Sequence, residues 1–190
     1  MVDITVTTLF VANFLYVVLL PKIFFRQDGK LNLMWWVTGA PYGLAPFVVI
    51  LFYLGYLPTD LIFSSGLVQN AIAVVISTLS ISLISYTLGT HRIPLALWHQ
   101  KNDAPQQIVT WGAYKYIRHP FYTSFLLALF AVIVAIPSIP TILIGLYGAV
   151  ILTLTASREE KKLSESQFGA DYVKYKKSTG RFLPRLSKES

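Results

Sequence analysis

Apolar residues come in long runs nearly free of charge, at 4–25, 33–57, 67–88, 121–136 and 141–156, with polar stretches between them. An α-helix rises about 1.5 Å per residue, so about 20 apolar residues cross a hydrocarbon core of about 30 Å. The first run closes at Pro21, Lys22 and Arg26. The second contains Gly39, Pro41, Gly43 and Pro46, which would break a helix in water. In lipid the freed backbone groups must find partners on neighbouring helices, and this predicts one kinked span. The third carries Ser77, Ser80, Ser82 and Ser85, small residues that let helices approach closely. The last two runs, about 16 residues or about 24 Å each, form a hairpin around Pro137-Ser-Ile-Pro140, and their shortness draws the flanking polar groups inward. The pattern predicts an all-α, polytopic integral membrane protein of about five transmembrane helices in a single domain, 1–190. Residues 1–66 supply two spans; residues 67–190 supply the third span, a loop, the hairpin and a C-terminal helix.

Composition agrees with this class. The chain has 190 residues, of which 54% are hydrophobic and 13% charged, with a mean hydropathy of +0.57; so few charges cannot cover a soluble globule. All 16 Lys and Arg residues fall on one side of a five-span arrangement, which places the N-terminus outside and the C-terminus in the cytoplasm. Topology and anionic lipid account for the net charge of +7, so no nucleic-acid partner is expected. Cysteine is absent, and His91, His99 and His119 have no metal-ligand spacing, so no metal is expected. Asp3 near the start and the long first apolar run argue against a removable signal peptide.

Chemistry is concentrated in Gly112-Ala-Tyr-Lys-Tyr-Ile-Arg-His-Pro-Phe-Tyr122. Pro120 suits the first turn of a helix, and His119 before it is expected to be extended. The unbonded N–H groups of that helix start, together with Arg118 and His119, suggest an anion site; the alternative is a basic patch that anchors the helix to lipid phosphates. The preceding loop, 89–117, contains Leu95, Leu97, Trp98, Ile108, Val109 and Trp111 and is expected to fold over one membrane face as a partial lid. Downstream, an amphipathic helix from Ser157 on to Pro184 leaves the membrane, broken at Phe168-Gly169, and Tyr172 and Tyr175 follow at i, i+3 spacing. The hairpin brings Glu159 and Glu160 back toward Arg118 and His119. Read alone, Glu159-Glu-Lys-Lys162 fits a solvated helix face with ordinary i, i+4 pairs better than a site. No G-x-G-x-x-G follows a strand, and Gly145-x-x-Gly148 lies inside an apolar helix, where it serves packing.

The combination Gly112-x-Tyr114-x-x-x-Arg118-His119-Pro120-x-Tyr122, an apolar hairpin, Arg158-Glu159-Glu160, Phe168-Gly169-x-x-Tyr172-x-x-Tyr175 and Arg181-x-x-Pro184 resembles the isoprenylcysteine carboxyl methyltransferase family and its phospholipid methyltransferase relatives. The resemblance covers about 88–184. It implies an S-adenosylmethionine pocket at the cytoplasmic membrane face, formed by the C-terminal half and open sideways to lipid. It assigns catalytic roles to Arg118, Glu159 and Glu160, and cofactor contacts to Gln106, Tyr114, His119, Pro120, Tyr122, Glu159, Glu160, Tyr172 and Tyr175. Two positions depart from the family: Gln106-Gln-Ile-Val-Thr110 replaces a common His-x-Leu-Val-Thr, and Ala113 replaces Pro. The contact of that histidine is therefore lost or taken by Gln106.

The expected function is S-adenosylmethionine-dependent methylation of a prenylated or lipid-like acceptor, with a carboxylate as the favoured group and membrane lipids as further partners. A carboxylate arrives ionised and needs no base, whereas an amine would give Glu159 or Glu160 that work. The alternatives are a phospholipid or amine N-methyltransferase, an NADPH-dependent membrane reductase, and a non-catalytic scaffold or carrier. The expected location is a prokaryotic cell membrane, with the endoplasmic reticulum as the alternative. Either Arg118 holds the acceptor's carboxylate, the favoured role, or it pairs with Glu159 or Glu160. The orientation has a direct test, because there is no native cysteine. Single cysteines at Ser65 and Ser138 should react with an impermeant thiol reagent in intact cells, and one at Ser187 should not. Outside labelling at Ser187→Cys would reverse the orientation.

Overall fold

The computed structural model describes residues 4–19, 24–25, 29–57, 66–90 and 108–185. Among these the chain is all-helical: α1 (Ile4–Leu19), α2 (Leu33–Tyr53), α3 (Leu67–Thr90), α4 (Pro120–Ala135), α5 (Ile139–Ser164) and α6 (Gly169–Ser178), with one short 3₁₀ turn at Gly112–Lys115. Three helices, α2, α3 and α5, are long and apolar enough to cross a membrane, while α1 and α4 are shorter apolar helices. The expected lid falls largely on residues 91–107, outside the described residues, as do His91, His99 and Gln106.

The second apolar run forms one helix despite Pro41 and Pro46, as expected. Pro41 has no N–H to offer the carbonyl four residues back, at Val37. That carbonyl accepts a hydrogen bond from the Tyr147 hydroxyl of α5 at 2.6 Å. A neighbouring helix thus supplies the partner that lipid cannot. On α3, Ser80 Oγ lies 2.6 Å from Asn13 Oδ1 of α1 and 2.8 Å from the Ser124 carbonyl of α4, and this buried polar contact joins three helices.

Ser138 closes the hairpin between α4 and α5 with a capping box, in which its hydroxyl accepts from the Thr141 N–H at 3.3 Å and Thr141 Oγ1 accepts from the Ser138 N–H at 3.1 Å. Gly145 and Gly148 then act as packing residues. A side chain at Gly148 would push the end of the Leu129 side chain aside and would stand in ordinary contact with Pro41 at 3.6 Å, so glycine there eases the close approach of α5 to α4 and α2.

The C-terminal part departs from the expected helix. α5 runs unbroken to Ser164, the chain breaks at 165–168 as read from Phe168-Gly169, and α6 ends at Ser178 instead of continuing to Pro184. The following residues turn back and pair with the strand-like stretch before α4. Ile117 and Gly180 form a parallel bridge. The Arg118 N–H donates to the Gly180 carbonyl at 2.9 Å and the His119 N–H to the Arg181 carbonyl at 3.1 Å. Gly180 is required because a Cβ there would collide with the backbone carbonyl of Leu183. That tight turn, together with Pro184, ends helical continuation.

Candidate functional site

Pro120 stands in the first turn of α4, and His119 caps it at φ −124°, ψ 61°, non-helical although not fully extended. This geometry turns the Arg118 and His119 side chains toward the inner face of α5, where Glu159 and Glu160 lie only 3% and 2% exposed. The two polar clusters do face each other.

Glu160 is the centre of the cluster. Arg118 Nε donates to its Oε1 at 2.9 Å. Arg181 grips both oxygens, Nε to Oε1 at 3.1 Å and Nη2 to Oε2 at 2.8 Å. Lys176 Nζ approaches Oε2 at 3.7 Å, and His119 Nε2 lies 3.3 Å from Oε1. Arg118 also uses Nη1 to hold the carbonyls of Lys176, at 3.2 Å, and Thr179, which places a cation on the C-terminal carbonyls of α6. The anion expected at the Arg118/His119 corner is thus one the chain itself provides. Of the two roles considered for Arg118, its guanidinium is engaged in carboxylate pairing.

Glu159 forms the apolar-side half. The Tyr122 hydroxyl donates to its Oε1 at 2.5 Å, and His119 Nδ1 lies 3.4 Å from Oε2. The His119 and Tyr122 rings are parallel to within 2° with centroids 5.4 Å apart, and the Phe182 ring stands tilted to His119 at 6.1 Å. Burial alone would lower the imidazole's pKa, but contacts with two carboxylates outweigh it and the net shift is upward.

The remaining predicted residues stand around this pair. Tyr114 is buried in the 3₁₀ turn and its carbonyl accepts from the Tyr175 hydroxyl at 2.5 Å. Tyr172 and Tyr175 lie side by side, centroids 5.9 Å apart. Burial raises the pKa of all three phenols, that of Tyr175 to about 12, so they are neutral near pH 7. Sequence reasoning missed Lys176 as a partner of Glu160, and passed over Arg181 although it belongs to the quoted Arg181-x-x-Pro184 pattern. It also missed Tyr42 of α2, which packs on Phe125 with ring centroids 4.5 Å apart in the same buried cluster as Tyr122. A uniformly apolar run gives no signal for such a residue.

The segment that positions both clusters can be compared with known families. Residues 96–165 match the isoprenylcysteine carboxyl methyltransferase (ICMT) family. The resemblance read from the motifs is borne out over that segment, and it supports a membrane methyltransferase. The match spans the loop, α4 and all of α5, hence Arg118, His119, Tyr122, Glu159 and Glu160; α6 and Arg181, which complete the Glu160 cluster, lie beyond its end. No curated protein and no solved structure matches the chain.

Two outcomes test this electrostatic arrangement. Arg118→Ala removes one of several cationic partners of Glu160 and should cost less than the about 3–5 kcal/mol of a fully unpaired buried charge, with part of the loss returning in Arg118→Ala/Glu160→Gln; strict additivity in chemical denaturation would remove the coupling. For His119 the folded pKa is raised above its unfolded value of about 6.5. Its contribution is therefore complete below about pH 6.5 and is lost as pH rises through the folded pKa. The Tm difference between the wild type and His119→Gln should be largest at pH 5.5–6 and shrink toward higher pH, by about the amount set by that shift.

Proposed function

We propose that this protein transfers a methyl group from S-adenosylmethionine to the carboxylate of a prenylated or lipid-like acceptor at the cytoplasmic membrane face. In this reading α1 and α4 complete a five-span arrangement with α2, α3 and α5, and the N-terminus is outside. The observation that carries the choice of acceptor is the charge count around the buried carboxylate pair. Arg118 and the partly exposed Arg181 and Lys176 all reach Glu160, and with Glu159 included the count is three cations to two carboxylates, one positive charge in excess before His119 is counted. Such a site favours an anionic acceptor over an amine. Both carboxylates are also held by donors, which lowers their value as a general base.

The donor set suits S-adenosylmethionine. Carboxylates complement its ammonium and sulfonium groups, the guanidinium-rich side complements its carboxylate, and the His119, Tyr122, Tyr172 and Tyr175 rings offer faces for its base. When bound, it supplies an electrophilic methyl group. The chain's own part is to hold both partners aligned and to exclude water, while Tyr122 and His119 keep the Glu159 carboxylate fixed. Gln106, Pro120 and Tyr114 belong to this proposed site by family likeness.

Binding provides the test. Stabilisation follows RT ln(1 + [L]/Kd), about 2.7 kcal/mol at a hundredfold excess over Kd. S-Adenosylmethionine should raise the Tm and NADPH should not, and Tyr122→Phe and Glu159→Gln should each reduce the gain. Radiolabelled methyl should pass to a farnesylated cysteine carboxylate and not to phosphatidylethanolamine. Stabilisation by NADPH alone would favour a reductase; transfer to the amine lipid would give Glu159 the base role.

A further inference from the structure

Helix α5 ends in five consecutive charges, Arg158-Glu-Glu-Lys-Lys162, and divides them between two faces. Glu159 and Glu160 turn inward to the site. Arg158, Lys161, Lys162 and Glu165 turn the other way and, with Met34 in the first turn of α2, line an open groove between the two helices. Three cations against one carboxylate leave this groove with an excess of two positive charges. Lys161 has Glu165 at 3.9 Å in a well-exposed pair, an arrangement that contributes little. Among the described residues, Arg158 and Lys162 have no carboxylate within ion-pair distance, and Arg158 Nη1 instead points at the Met34 sulfur at 3.8 Å. A thioether is a weak acceptor, which leaves the guanidinium fork available to a stronger one.

The surroundings identify the level in the membrane. Next to Met34, Trp35 and Trp36 form an aromatic group with Phe24, at centroid distances of 4.7 and 5.3 Å from it, and Trp36 is 46% exposed. Tryptophans at the end of an apolar span mark the headgroup region. The groove's lining is mainly apolar although four of its five residues are charged, as expected where arginine and lysine methylene stems and Met34 face the groove and the charged heads reach toward water. This combination of apolar walls and a cationic rim between two membrane helices, on the face where the chain's basic residues gather, matches a phosphate ester with hydrocarbon attached. We propose that the groove between the start of α2 and the end of α5 binds the headgroup of an anionic phospholipid, with Arg158 and Lys162 on the phosphate. The site lies on the opposite face of α5 from Glu159 and Glu160 and does not depend on the methyltransferase reading.

The full chain, purified in detergent with phosphatidylcholine, would be titrated with dioleoylphosphatidylglycerol and followed by Tm and by lipid retention in native mass spectrometry. Phosphatidylglycerol should stabilise it and extra phosphatidylcholine should not. Arg158→Gln/Lys162→Gln should weaken that binding about 25-fold, about fivefold for each cation removed. Lys174→Gln/Lys177→Gln, which takes the same charge from the exposed side of α6, should leave it unchanged. Met34→Trp, which fills the groove without altering charge, should reproduce the loss and guards against a folding defect in the charge variants. Equal losses in the two charge pairs would reduce the effect to general surface attraction and overturn the site. So would the absence of any preference for phosphatidylglycerol, and stabilisation by inorganic phosphate to the same degree would exclude a lipid as the ligand.

Discussion

The structure depends on keeping one carboxylate, that of Glu160, out of water. An isolated buried carboxylate costs several kcal/mol even after relaxation, and only close cations with good geometry offset it. Here four partners come from three places in the chain: Arg118 and His119 before α4, Lys176 near the end of α6, and Arg181 after it. Each is remote in sequence from Glu160 or on another element, so satisfying the charge requires the C-terminal segment to close over the hairpin. Such a cluster is weak evidence of added stability, since apolar replacements of buried ion clusters are often neutral.

The backbone meets that requirement with few devices. Pro120 begins α4 without needing an N–H partner, which leaves the residues before it free to be strand-like. Their N–H groups then pair with the carbonyls of Gly180 and Arg181, and Thr123 Oγ1 adds a bond to the Phe182 carbonyl at 2.9 Å. This short ladder sets the register that brings Arg118 and Arg181 to the same carboxylate. Arg118 is further tied to the last carbonyls of α6, so the orientation of that helix and the position of the guanidinium are one constraint.

How far the sequence could be read follows from the range of each interaction. Apolar runs specify their own helices, and the proline-bearing run at 33–57 was legible because lipid forces such backbone to stay helical and borrow a partner, as Val37 does from Tyr147. The meeting of Arg118/His119 with Glu159/Glu160 was legible because a tight hairpin leaves no other place for those residues. The partners of Glu160 beyond the break at Phe168 were not. The amphipathic pattern and the i, i+3 tyrosines suggested a continuing helix to Pro184, and only a tertiary fact, the collision that any side chain at Gly180 would have with the Leu183 carbonyl, reveals the turn that carries Arg181 inward. Tyr42 was hidden for a similar reason: a tyrosine in an apolar run reads the same whether it meets lipid or the buried side of Phe125.

The charged end of α5 shows how one short sequence serves two environments. Successive helical residues are about 100° apart, so Glu159 and Glu160 centre on a direction about 160° away from that shared by Arg158, Lys161, Lys162 and Glu165. The inward face is crossed by cations from other elements and is nearly sealed; the outward face keeps its own cations at the membrane interface. Had the order been Glu-Lys-Lys-Glu, the inward face would carry both signs, and its carboxylate would be accompanied by a lysine that cannot be buried without a partner. The grouping of like charges, which costs repulsion in an isolated helix, is offset once the segments around α4 and α6 bring cations to the inward side. The carboxylates at the end of α5 are therefore matched only as part of the folded hairpin.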